Sequence, residues 1–165
     1  MELKNGVTVL FVRDAQRARA FYESLLGFHV VADFGGVNII FREGIALWQP
    51  DPGHPIPAAY ADSEGHSRIH DETLPPRGEL CYETEDMDGV FATLKEYGVR
   101  FLHELREESW GQRSVRFFDP DGHLIEVGES LPLFVRRFRD QGMTPEQIAE
   151  RTSVPLPMVL KLLGD

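Results

Sequence analysis

The sequence predicts an α+β fold made of two successive βαβββ modules with a small helical cap at the C-terminal end. Three observations predict it. The segments VTVLFVRDAQRARAFYESLLGFHVV and ELCYETEDMDGVFATLKEYGVRFLH share one order of strand, helix, glycine and strand. Their punctuation is in step: Val7 and Glu79 are 72 residues apart, as are Asp14 and Asp86, while Gly27 and Gly98 are 71 apart. Each copy then runs into a hairpin of two further strands, so a whole module is repeated and not only a strand–helix pair.

Residues 1–49 make the first module. MELKNGVTVLFVRD has an acidic Glu2 and no small-residue cleavage site after its short apolar run, so it reads as a first strand and not as a signal peptide. Asp14 follows where a helix N-cap is wanted, because its carboxylate can accept from the unpaired N–H groups of a first turn. Ala18, Phe21, Tyr22 and Leu25 then recur at i, i+3, i+4 and i+7, one apolar stripe of a helix. Gly27 suits the left-handed position that ends a helix. Phe28, Val30 and Val31 resume a strand, and NIIF, a turn at Arg42-Glu43-Gly44, and IALWQ supply the hairpin.

Residues 50–78 form a linker or lid. PDPGHPIPAAYADSEGHSRIHDETLPPRG is rich in Pro, Gly and polar residues, too irregular for a core element and longer than an ordinary loop. His54, His66 and His70 lie in it, either within reach of a pocket or simply solvated.

Residues 79–130 make the second module. Asp86 takes the N-cap place, Met87, Val90, Phe91 and Leu94 the helix stripe, and Gly98 the stop. Val99, Phe101 and Leu102 resume a strand, and SVRFF and HLIEV flank the turn at Asp119 to Gly122. Gly44 and Gly122 are 78 residues apart, so the second copy is slightly longer. Neither module is large enough to bury its own sheet face, so the two must pack together or swap between chains.

Two stretches carry a family resemblance. DAQRARAFYESLLGFHV resembles the "D…FY…LGF" opening of vicinal-oxygen-chelate modules, and FFDPDGHLIEV resembles the closing "F.DPDG..IE" hairpin of that superfamily, which includes glyoxalases, bleomycin-resistance proteins and dioxygenases. The likeness runs from residue 5 to about residue 130. It implies an open half-barrel around a small-molecule cavity, in a homodimer. Metal-dependent members carry one ligand on the first and last strand of each module. Carried over, those places fall on Val7, Trp48, Glu79 and Glu126, with Ala46 or Gln49 as alternatives to Trp48.

Donor chemistry then weighs against a complete ion cage. A divalent cation needs three or four N, O or S donors. Glu79 and Glu126 supply carboxylates, whereas Val7 and Trp48 supply nothing. With water, such a pair suits magnesium or manganese better than zinc or nickel. Without a metal, Glu79 and Glu126 are the candidate acid–base pair, or they pair with Arg113 or Arg116 on the adjoining strand. Alternation also permits both to face water, opposite Leu80, Tyr82, Ile125 and Val127. Phe11, Trp48, Trp110, Phe117 and Arg116 are the candidate ligand contacts, the aromatics being as compatible with core as with a pocket. His29, His103 and His123 read as ordinary strand or turn residues. No G-x-S-x-G, Walker or Rossmann fingerprint is present, and Cys81 has no sequence-adjacent His to activate it.

Residues 131–165 form the helical cap. LPLFVRRFRDQGM reads as one helix with Leu133, Phe134 and Phe138 apolar and Gly142 as stop. Thr144, Pro145 and Gln147 make a capping box for a helix near 145–151, and another helix runs from about Pro157 to Leu163. GMTPEQIAERTSVPLPMVLKLL resembles the helix-turn-helix units of bacterial regulators. Its second helix offers only Lys161 as a basic side chain, which argues against a DNA reader and for a cap docking its apolar face.

Composition narrows the classes further. The net charge is −10, which repels nucleic acid and anionic membrane. Residues 131–165 hold five Lys/Arg against four Asp/Glu, so the two modules carry about −11. No apolar run approaches the ~18 residues of a membrane span. The single cysteine, Cys81, excludes an intrachain disulfide and fits a reducing cytoplasm. The expected function is binding of a small organic molecule at a degraded metal site. The alternatives are a metal-dependent lyase, isomerase or dioxygenase of glyoxalase type, and a ligand-responsive regulator acting through the tail.

Overall fold

A computed structural model describes residues 6–71 and 73–164. The first five residues of the expected opening strand, Glu72 in the linker and Asp165 at the end of the tail lie outside the described residues. The fold is α+β, with two open four-stranded mixed sheets of like construction and a group of helices after the second.

In the first module β1 (Thr8–Phe11) leads into α1 (Ala15–Ser24), followed by β2 (Val30–Phe34), β3 (Asn38–Phe41) and β4 (Ile45–Trp48). In the second, β5 (Glu79–Thr84), α3 (Met87–Tyr97), β6 (Arg100–Glu107), β7 (Arg113–Phe118) and β8 (Leu124–Glu129) repeat that order. The sheets run β1-β4-β3-β2 and β5-β8-β7-β6, with the first strand of each module parallel to its last. The expected caps form. Asp14 accepts from the backbone N–H of Gln16 and Arg17, and Asp86 from that of Gly89. Gly98 closes α3 at φ +79°, where a side chain would be strained.

The linker is more ordered than its composition suggests. It contains α2 (Pro55–Ala59), with Pro at its start and the His54 ring accepting from Ile56 N–H as N-cap, and an isolated bridge between Ala61 and Ser67. Proline at the first helical position costs no hydrogen bond, which is how a Pro-rich segment forms a turn of helix.

The chain divides into two compact units: Met1–Gly78 with Phe118–His123, and Glu79–Phe117 with Leu124–Asp165. The turn between β7 and β8 belongs to the first unit. Within that unit, α1 lays Ala15, Ala18, Phe21 and Tyr22 against Ile39, Phe41 and Leu47 of the sheet, all buried. Tyr22 stands at the centre, its ring within 6 Å of the rings of Phe21, Phe28 and Phe41.

The second unit includes the tail: α4 (Leu131–Asp140), α5 (Pro145–Thr152) and α6 (Leu156–Leu163). The capping box of Thr144 and Gln147 is present. The tail does not rest on an apolar face alone, as the sequence reading expected. Phe134, Val135, Phe138, Ile148 and Val159 close a core of their own. Polar ties fasten it: Arg137 donates to the buried Glu129 at the end of β8 and, at 2.6 Å, to the Gly111 carbonyl. Among the described residues no helix is long and apolar enough to cross a membrane.

Candidate functional site

One face of the second sheet gathers the charged side chains. Register sets this. Cys81 pairs with Glu126 across β5 and β8, and Glu79 lies two residues before Cys81, so all three side chains emerge on one face. Leu80, Tyr82, Ile125 and Val127 take the other. Arg116, on β7, extends between the acids. Its Nε donates to Glu79 Oε2 at 2.8 Å and its Nη1 to Glu108 Oε1 at 2.6 Å, while Nη2 contacts Glu126 Oε2. The expectation that both carboxylates simply face water does not hold. The alternative of pairing with Arg116 does, and only 12% of the Glu126 side chain is exposed. Arg113 turns instead to Asp88, at 2.5 Å, and to Glu129.

Glu108 and His103, neither a candidate from the sequence, complete the cluster. Glu108 is buried and accepts from Ser114 Oγ, Arg106 and Arg116. Burial by itself would raise its pKa, but the Ser114 and Arg116 hydrogen bonds and the Arg106 charge outweigh that and hold it below the usual carboxylate range. His103 Nδ1 lies 2.8 Å from the Glu104 carbonyl, which can only accept, so Nδ1 carries the hydrogen. Nε2 is then free to accept from Arg116 Nη1 at 3.2 Å. Burial opposes the charge on Arg116, yet the bonds to Glu79 and Glu108 raise its pKa further above its ordinary value. Partial desolvation, then Glu79, pushes the Cys81 thiol up, so it is a weak nucleophile.

Donor atoms of Glu79, Cys81 and Glu126 lie within 4.8 Å of one another, a spacing a cation can bridge. Arg116 already pairs with both carboxylates. A divalent ion coordinated there would stand within about 4 Å of the guanidinium, a repulsion of about 8 kcal/mol at an effective dielectric of about 20. As folded, these residues do not fit a metal.

Among the described residues the first module has no equivalent cluster. Val7 and Glu79 each stand seven residues before an N-cap, so Val9 corresponds to Cys81. Val9 pairs with Ala46, as Cys81 pairs with Glu126. Ala46 and not Trp48 therefore stands in the place of Glu126, because turn glycine and strand position are two residues farther apart in the second copy. Trp48 packs at a tilt against Phe11, with ring centroids 5.8 Å apart, and edge-on against His54, at 4.9 Å. The three rings form an aromatic corner within the first unit. Gln49 accepts from Ala15 N–H at the start of α1.

The other candidates separate. Phe117 is wholly buried, a core residue and not an open ligand contact, because alternation along β7 turns it away from the face that carries Arg116. Trp110 is 40% exposed, and its indole N–H donates to Gln112. A cleft of about 520 Å³ lies beside the start of α3 and along α4, lined among others by Asp86, Asp88, Arg113, Arg136 and Asp140, and by none of Glu79, Arg116 and Glu126. His66 is solvated, and His29 pairs with Glu43 at 2.9 Å. The DPDG turn is an anchor: Asp119 accepts from Tyr22 Oη at 2.9 Å and from His123 Nδ1 at 2.8 Å, and Asp121 from Arg13 N–H at 2.9 Å. His70 approaches Asp121 at 4.0 Å, its Nδ1 buried without a hydrogen-bond partner.

Comparison with known proteins agrees with this architecture. The sequence model of the glyoxalase-like domain matches residues 6–132. An uncharacterized protein, YetH of Bacillus subtilis (strain 168), is 27% identical over 129 residues, 75% of this chain and 96% of YetH. A crystal structure of a protein of unknown function from Agrobacterium tumefaciens str. C58 superposes with a TM-score of 0.64 at 31% identity, covering 79% of this chain and 97% of that one. A member of the glyoxalase/bleomycin resistance protein/dioxygenase superfamily from Sphaerobacter thermophilus DSM 20745 does so at 0.53 and 26% identity, over 79% and 99%. Nearly the whole tail, from residue 133 onward, lies beyond the family match.

Proposed function

The chain belongs to the glyoxalase-like domain family, and from that premise we propose that it binds a small organic molecule without a metal ion, using the Arg116 cluster as its polar recognition centre. One observation carries the reading: Arg116 pairs at once with Glu79, Glu108 and Glu126. Apolar pockets gain specificity from a few convergent polar groups of this kind. Three carboxylates against Arg106 and Arg116 leave a formal charge of −1, which favours a ligand offering N–H donors or positive charge over an organic anion. Glu79, the more exposed acid of the cluster, is the group that meets it.

A thermal-shift screen of paired amines and carboxylates of equal size tests this, with tryptophan fluorescence giving affinities. Amine-bearing compounds should stabilise the protein. Glu79→Gln should weaken them about tenfold, the worth of one charged hydrogen bond. Preferential binding of carboxylates, or indifference to Glu79→Gln, would reject the reading.

A further inference from the structure

The geometry points to Arg116 as the resident cation of this centre, a guanidinium standing where a divalent ion would otherwise bridge Glu79 and Glu126. Three features carry this. Glu79, Cys81 and Glu126 already present an O, S, O donor set with the reach of a metal cage. Arg116 bonds to both carboxylates from the adjoining strand, with Glu108 and His103 fixing its remaining edge. The fork is therefore held on several sides, its side chain only 15% exposed, and it is not a mobile surface arginine that an ion could displace at little cost. A planar cation of fixed charge satisfies the acids without water or coordination. The Cys81 thiol beside them is in hydrogen-bond contact with Glu79.

The sequence difference between a metal-independent centre and a metal cage is then one side chain. With Arg116 removed, Glu79 and Glu126 lose their counter-ion, and a borderline ion such as cobalt or zinc, which accepts carboxylate and thiolate together, becomes the available replacement. The inference shares with the reading above only the absence of a metal: a failed amine screen leaves it standing, whereas cobalt bound with the band in wild type would reject both.

Cobalt(II) titration of the full chain tests it, read by the thiolate-to-cobalt charge-transfer absorption that only Cys81, the one cysteine, can give. Wild type should show no such band. Arg116→Ala, and Arg116→Met, which keeps more of the side-chain volume, should bind one cobalt with the band present, about a hundredfold or more tighter than wild type. Arg116→Lys should remain closed, and Cys81→Ser in the Arg116→Met background should abolish the band. Stoichiometric cobalt with the band in wild type would overturn the inference, whatever the variants do. So would its absence from a folded Arg116→Met protein, judged by an unchanged circular dichroism spectrum.

Discussion

Asp119 shows what a single side chain does here. Its carboxylate is buried and receives Tyr22 Oη, the His123 ring and two backbone N–H groups. Burial would raise its pKa, but the His123 hydrogen bond and charge outweigh burial and lower it. Burial likewise disfavours a charged His123, yet Asp119 raises its pKa above 6.5. His70 is the opposite case: burial outweighs the attraction of Asp121, and its pKa falls below 6.5. The signs follow from proton linkage. His123 binds more proton folded than unfolded, so its contribution is full below pH 6.5 and is lost as pH rises through its folded value. His70 binds less, so its contribution holds above pH 6.5 and is lost as pH falls toward its folded value. Ring resonances in an NMR titration should place the two midpoints on opposite sides of 6.5. The Tm deficit of His123→Gln should shrink as pH rises above 6.5, and a deficit constant from pH 5 to 9 would refute the pairing. The turn itself was legible from DPDG. Its partners were not, because Tyr22 lies 97 residues away and no local pattern encodes that contact.

At the level of elements, whatever depends on neighbours in sequence was legible: both N-caps, the helix stripes, the capping box and the turn glycines. Register across the sheet was less so. Counting from the turn glycine puts Trp48 in the place of Glu126, whereas the pairing of Val9 with Ala46, as of Cys81 with Glu126, puts Ala46 there. Gly111 was passed over because a glycine in a polar loop has no distinctive signal. It stands at φ +99°, and a Cβ there would lie 2.6 Å from Phe138 Cζ of α4. Gly111→Ala therefore combines left-handed strain with a clash in the seat of the helix. A loss of about 2–3 kcal/mol is expected, lowering Tm by roughly 5–10 °C. Gly142→Ala, at φ +88° with nothing within 4 Å of its added carbon, should show the strain alone and a smaller drop. Equal effects at the two positions would mean that contact with α4 contributes nothing.

Across the whole molecule, duplication explains the two like sheets, and divergence between the copies explains why one carries Arg116 among acids and the other an aromatic corner. The tail is the part the repeat does not explain, and its attachment rests on charge. Glu129 is 1% exposed and accepts from Arg113 N–H and from Arg137, which also reaches Glu107 and the Gly111 carbonyl. Arg151 reaches Glu107 from α5. A buried ion pair adds little net stability over apolar packing, but losing one partner strands the other. Arg137→Met should thus cost about 3 kcal/mol, and Glu129→Gln in the same chain should return a good part of it, since a neutral amide carries a smaller desolvation penalty. If α4 to α6 fold with the second sheet as one unit, Arg137→Met should lower a single denaturant transition seen alike by circular dichroism and tryptophan fluorescence. A wild-type transition of the helices separate from that of the second sheet would show that they fold independently, and the Arg137–Glu129 bond would then not be the element that joins them.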